Sequence, residues 1–320
     1  MDGRRPAGAG ARNFRGNAFV ARTGAGPVPG AAGGTLRRLD REDWAAVRLE
    51  EPREQRLRTD CARAAQETHG VAVQTLSAQQ LREMDPALAE GFVRGLYFPE
   101  NAHTVDPLGL VNALVDLFVQ AGGQVKQAEV RAFGLRDGKA LHATTVDGPI
   151  EADAFVLAAG LASAPLATEL GDRIPMQGER GYHVMLPDPR VRPAAKVGNR
   201  DQMFGMTPMR DGVRISGTVE ITGPDTPPDM RRAQALLRNA KLMYPGLNGE
   251  GATFWSGNRP STPDSLPVID RSSRASNVIH AFGHGHSGLT GAPVTARIVA
   301  ALAAGRQPDV DATAFRGNRF

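Results

Sequence analysis

At 320 residues with 41% apolar side chains, the chain can form one large or two moderate domains with proper cores, which excludes wholesale disorder. A single cysteine, Cys61, excludes a disulfide framework and a multi-cysteine metal site, and no apolar run approaches the about 20 residues of a membrane span. The net charge of +4 is concentrated in residues 1–38, which carry +6 and leave −2 for the rest, so no basic face argues for nucleic acid.

Residues 1–34, rich in Gly, Ala, Pro and Arg and without periodicity, read as a disordered tail. They lack the pattern of a secretory signal, so a reducing, cytoplasmic setting is expected. SAQQLREM (77–84) places Ser77 as an N-cap before a short helix that stops ahead of Pro86. VDPLGLVNALVDLFVQAGG (105–123) predicts a longer helix, capped by Asp106, opened by Pro107 and ended by Gly122–Gly123. Its apolar face runs through Leu110, Val111, Leu114, Val115 and Phe118. QVKQAEVRAF, a polar turn at Arg136–Lys139 and a run near 140–146 then suggest two strands. ADAFVLAAG (152–160) reads as a buried strand ended by glycine, and residues 202–221 as a hairpin turning at Arg-Asp-Gly. Asp229 starts a helix with Ala233, Leu236, Leu237, Ala240 and Met243 on one face. SNVIHAF (276–282) is a short strand, and GAPVTARIVAALAAG a final helix with Pro293 in its first turn and Gly305 as its stop. Parallel-type βαβ pieces beside an antiparallel hairpin suggest an α/β part interleaved with an α+β part.

Three segments could carry chemistry. At the end of the 152–160 strand, Ala158, Ala159 and Gly160 leave the backbone open to close approach by a ligand. In WSGNRPSTPDSLPVID (255–270), Pro260, Pro263 and Pro267 stiffen the path, and Arg259 on that support suits bidentate capture of a carboxylate. The competing reading pairs Arg259 with a structural acid such as Asp264. AFGHGHSGLTGAP (281–293) joins a strand to a helix through a glycine loop, where outward backbone N–H groups suit an anion or a developing negative charge. His284 and His286 lack further ligands at metal-type spacing, so they are read as shaping the loop and no metal is expected.

In this order, W-x-G-x-R-P-x-T-P-D-S-L-P-V-I (255–269), N-V-I-H-A-F-G-H-G-H-x-G-L-T-G-A-P (277–293) and the closing ATAFRGNRF resemble the FAD-dependent D-amino-acid oxidase/dehydrogenase family, and within it the D-amino-acid dehydrogenases. LYFPENAHTVDP (96–107), ERGYHVMLPDP (179–189) and TPMRDGVRISGTVE (207–220) are similar to the same group. The likeness implies an FAD-binding domain of the glutathione-reductase type interleaved with an antiparallel-sheet substrate domain. The tail would be 1–34, the substrate domain 35–100 and 171–254, and the FAD domain 101–170 and 255–320. It further implies oxidative deamination of a small D-amino acid to a 2-oxo acid and ammonia, with electrons passed to a quinone chain or another acceptor, peripheral to the inner membrane in the quinone case. Arg259 would pair with the substrate carboxylate, assisted by the Tyr182 hydroxyl. Gly283, His284, Gly285, His286, Gly288, Leu289 and Thr290 would face the flavin, Val130 the adenine, and Ala158, Ala159 and Gly160 the length of the cofactor. The family's opening strand and G-x-G-x-x-G are missing: in GAGARNFRG (8–16) Asn13 stands where the third glycine belongs, and AGPVPG (25–30) fails likewise. The FAD domain is therefore expected to be truncated, which leaves open an inactive remnant or a non-catalytic subunit that needs a partner chain to bind FAD.

Overall fold

A computed structural model of the chain describes residues 40–48, 64, 67–223 and 226–320. The tail and both failed glycine motifs lie outside the described residues. In chain order the strands are β1 (Asp40–Arg48), β2 (Gln74–Ser77), β3 (Phe92–Thr104), β4 (Val130–Arg136), β5 (Lys139–Thr145), β6 (Gly148–Glu151) and β7 (Phe155–Leu157). They continue as β8 (Gln177–Leu186), β9 (Lys196–Asn199), β10 (Phe204–Met209), β11 (Gly212–Ile221), β12 (Thr253–Ser261), β13 (Val268–Arg271) and β14 (Val278–Phe282). The helices are α1 (Ala78–Met84), α2 (Pro107–Gln120), α3 (Ser163–Glu169), α4 (Arg231–Met243) and α5 (Gly288–Ala303). The described residues divide between two compact units, one from 118–178 and 259–320, the other from the described parts of 40–117 and 179–258.

The second unit is built on an eight-stranded sheet of order β12-β8-β11-β10-β9-β1-β3-β2. Strand alternation decides its two faces. On one, Tyr182, Val184 and Leu186 of β8 and Val213 and Ile215 of β11 are buried together with Ala233, Leu236, Ala240 and Met243 of α4. The helical stripe read from Asp229 onward is thus the stripe that α4 buries. Asp229 works just outside the helix, where its Oδ1 accepts the Arg231 amide at 3.1 Å. On α1 the Ser77 side chain accepts from the Gln80 amide while the Gln80 side chain accepts from the Ser77 amide, a complete capping box. Beneath this layer the Tyr244 hydroxyl donates to Asp85 Oδ2 at 2.7 Å, with both residues buried.

The first unit has two smaller sheets. β4, β5 and β6 form an antiparallel meander whose first turn, with Asp137 at φ 52° and Gly138 at φ 72°, matches the twist of the strands it joins. The other sheet has the order β13-β14-β7, with β14 antiparallel to β13 and parallel to β7. Asn277 stitches the two: its Oδ1 accepts from the Ala140 amide at 2.8 Å and its Nδ2 donates to the carbonyls of Ala140 and Asp153. α5 packs on β13 and β14 through Ile298 and Ala301, and ends at Gly305, whose left-handed φ of 69° is what the closing turn requires.

Two expectations change. α5 begins at Gly288, so Pro293 falls beyond the first turn, inside the helix. Periodicity read from the apolar residues alone missed the glycines at its start. α2 has its expected caps, with the Gly109 amide donating to Asp106 at 2.8 Å and the Gly123 amide to Phe118 at 2.9 Å. Yet none of its residues is buried; Leu108 is 70% and Leu114 56% exposed.

Candidate active site

In the first unit the parallel pairing of β7 with β14 (Val278 beside Phe155, His280 beside Leu157) sets both strands running the same way. Their carboxyl ends therefore open on one edge, the usual ligand position of a parallel sheet. The loop after β7 is Ala158–Gly160, and the loop after β14 is the one containing His284 and His286. Gly160 has φ 60°, and a Cβ there would meet nothing within 4 Å, so its backbone is open to approach. The Ala159 amide is held by Ser163 Oγ at 2.9 Å. Val130 opens β4, pairs with Thr145, and packs its side chain against both cores of this unit.

The Gly283–Thr290 loop takes its shape from two left-handed glycines, Gly283 at φ 81° and Gly285 at φ 51°. A Cβ at Gly283 would come within 3.0 Å of Thr262 Cγ2. His284 shares a hydrogen bond of 2.9 Å with Thr295 Oγ1 of α5, and burial lowers its pKa, so the ring is neutral and structural. Gly288, Leu289 and Thr290 open α5, and Ser287 supplies no side-chain cap for their amides. Uncovered amides at the positive end of a helix of this length fit the electron-rich edge of a flavin. Among the described residues no group of three or more His, Cys, Asp or Glu could hold a metal ion.

Two segments that the sequence singled out separately are joined here. The Gly285 amide donates to the Pro260 carbonyl at 2.8 Å, and Ser261 forms a β-bridge with His284. Arg259 is thereby tied, through its neighbour, to the Gly283–Thr290 loop. Its Nη1 is buried without a hydrogen-bond partner. Asp264, the acid expected to compete for it, is held by Arg319 instead, at 2.7 and 3.2 Å, and this hydrogen bonding holds the carboxyl down to about 2.

Tyr182, the hydroxyl expected to assist Arg259, lies in a hydrogen-bonded network. Its ring lies in the core of the second unit, its hydroxyl donates to Glu220 Oε2 at 2.5 Å, and it accepts from the Asp229 amide at 3.0 Å. Burial and then Glu220 raise its pKa. The buried Arg180 completes the network by donating to Glu220 at 3.2 Å. A hydroxyl so engaged is a support for the sheet, and a strand shows alternate residues on opposite faces. The face away from this core belongs to His183, Arg214 and Ser216, none of which the sequence reading selected. The only available signal was the V-R-I-S alternation at 213–216, which places Arg214 opposite the apolar face.

The family profile described as FAD dependent oxidoreductase matches residues 37–302. A D-amino-acid oxidase of Bradyrhizobium diazoefficiens is 34% identical over 255 residues, or 78% of this chain. The chain spans 61% of that relative's length. The solved glycine oxidase of Geobacillus kaustophilus superposes with a TM-score of 0.75 at 24% identity, covering 88% of this chain and 76% of that one. The glycine oxidase of Bacillus cereus gives 0.73 at 19% identity, covering 84% and 74%. These two likenesses establish a shared fold of mixed α/β content with antiparallel sheets.

Proposed function

Because the chain belongs to the FAD-dependent oxidoreductase family, we propose that it serves the oxidative deamination of D-amino acids to 2-oxo acids and ammonia. The observation that carries this reading is Arg259, whose buried Nη1 has no partner while Asp264, the acid expected to compete for it, is taken by Arg319. A buried guanidinium nitrogen without a partner is costly, and a substrate carboxylate would pair with the group in two-point geometry. Held so, an amino acid presents its Cα and neutral amine in a fixed orientation. Oxidation breaks the Cα–H bond, the amine gives up a proton, and water releases ammonia from the resulting imine. FAD, when bound, supplies the two-electron acceptor. The amides of Gly288, Leu289 and Thr290 would stabilise negative charge on its flavin edge, with Gly283, His284, Gly285 and His286 shaping the loop. Val130 and Ala158–Gly160 are proposed to line the rest of the cofactor. The preference for D over L isomers rests on the motif likeness and the 34% identical relative. A cytoplasmic site of action, with a quinone chain or another carrier receiving the electrons, completes the proposal.

The test is dye reduction by the full chain with added FAD, using paired D- and L-amino acids. D-dependent turnover is expected, and Arg259→Met should lower kcat/KM by roughly a thousandfold, the order expected when a desolvated charge loses its partner. Turnover of L isomers alone, or an Arg259→Met enzyme with unchanged kcat/KM, would refute the assignment.

A further inference from the structure

We propose that Arg319, in the short turn Gly317–Arg319 beyond α5, is a positioning residue of the candidate site: it fixes the 262–266 turn and, through that turn, the shape of the Gly283–Thr290 loop. This deepens the cofactor-binding reading given for that loop and rests on it.

The Arg319 side chain is only 16% exposed and is directed at one short stretch of chain. Its Nε donates to Asp264 Oδ2 at 2.7 Å, and its Nη2 donates to Asp264 Oδ1 at 3.2 Å and to the Leu266 carbonyl at 2.7 Å. Its Nη1 donates to the Arg316 carbonyl at 2.8 Å, which closes the turn the side chain springs from. A planar fork can span Asp264 and Leu266 together, whereas a lysine ammonium offers a single point of charge. Between these two acceptors stands Ser265 at φ 62°, a left-handed conformation that a residue with a side chain keeps only when its surroundings fix it. Within the turn the Ser265 amide donates to the Thr262 carbonyl at 3.1 Å, and the Leu266 amide to Asp264 Oδ1 at 3.1 Å. The Leu266 carbonyl that Arg319 holds also accepts the Thr262 hydroxyl, at 2.7 Å. Arg319 and Thr262 therefore meet on one oxygen, and the guanidinium sets where Thr262 stands.

Thr262 carries that placement to the loop. It is buried, and its Cγ2 would come within 3.0 Å of a Cβ at Gly283, so its methyl packs directly against the first left-handed glycine. The residues just before it hold the next part of the loop, through the Pro260 carbonyl to the Gly285 amide and through the bridge of Ser261 with His284. Close-packed atoms pass such a displacement on rather than absorb it. The Gly317 amide, donating to Asp270 Oδ2 at 3.1 Å, pins the same short turn to β13, so the strap is anchored at both of its ends. Each nitrogen of the Arg319 guanidinium already donates within the chain, so the residue acts on a ligand only through the turn.

Fluorescence titration of the full chain with FAD, well below its melting transition, tests this beside urea unfolding of the FAD-free protein. Arg319→Met should raise the Kd for FAD at least about tenfold, the order set by a charge-assisted hydrogen bond whose loss reaches the loop. Thr262→Ser keeps the hydroxyl bond and removes the methyl; in that background Arg319→Met should change Kd much less than in the parent. A purely structural arginine would lower the urea midpoint and leave the Kd of the folded protein where it was. An unchanged Kd for Arg319→Met, or effects of the two substitutions that simply add, would overturn the proposal. Should Arg319→Met fail to fold, Arg319→Lys decides: it keeps the charge but not the span, so Kd should still rise, and a parental Kd would overturn the role. Gly283→Val separates this proposal from the reading beneath it. If Gly283→Val weakens FAD binding and Arg319→Met does not, the strap fails and the loop stands. If Gly283→Val has no effect, or the parent binds no FAD, the loop reading fails and the role of Arg319 falls with it.

Discussion

His183 provides a pH signature at the level of a single side chain. Its folded pKa, about 4, lies below the ordinary 6.5 because burial and then Arg214 oppose the charged form. The unfolded chain therefore binds more protons between those values, and the stability contributed by neutral His183 is complete above 6.5 and fades as pH falls towards about 4. Thermal melts from pH 7 to 4 should drop more steeply for the parent than for His183→Gln, and parallel curves would exclude this role. Tyr182 gives a complementary outcome: Tyr182→Phe deprives Glu220 of a donor and should cost about 1–3 kcal/mol in urea unfolding. A loss of substrate affinity with unchanged stability would restore the carboxylate role to Tyr182. The sequence displayed Tyr182 and His183 side by side, but not which faces the core. That depends on the register of β8 against β11, a long-range property that local residue types do not encode.

Among the elements, those governed by near neighbours in sequence were readable. The Ser77 capping box, the stripe of α4 and the turn at Asp137–Gly138 each rest on residues within a few positions of one another. The union of β7 and β14 was not, since Asn277 and Asp153, which accompany it, are 124 residues apart. Asn277→Ala should remove three hydrogen bonds at this seam and destabilise the chain by about 2 kcal/mol or more, read in urea. The loop after β14 makes a sharper demand. Gly283→Val would place a branched side chain at φ 81° and against Thr262, so FAD affinity should fall by at least about tenfold in a flavin fluorescence titration. Retained affinity would separate the loop's shape from cofactor binding.

The two units each have a core of their own, which bears on how the whole molecule responds to its cofactor. A ligand stabilises what it binds, so FAD should lift the melting transition of the 118–178/259–320 unit in scanning calorimetry as its concentration rises above Kd. A scan indifferent to FAD would place the cofactor contacts elsewhere. No helix among the described residues is long and apolar enough to cross a membrane.

Neither unit is continuous in sequence, and the order of synthesis follows from that. The sheet bearing His183 and Arg214 has its last strand by Ser261. The β7 strand, made much earlier, must wait for Val278–Phe282 before it gains its parallel neighbour. During translation the eight-stranded sheet can therefore close while the β13-β14-β7 sheet is still missing its centre. A chain cut off between Ser261 and Val278 would hold every strand of the eight-stranded sheet but leave β7 unpaired, the kind of edge that chaperones hold and proteases clear.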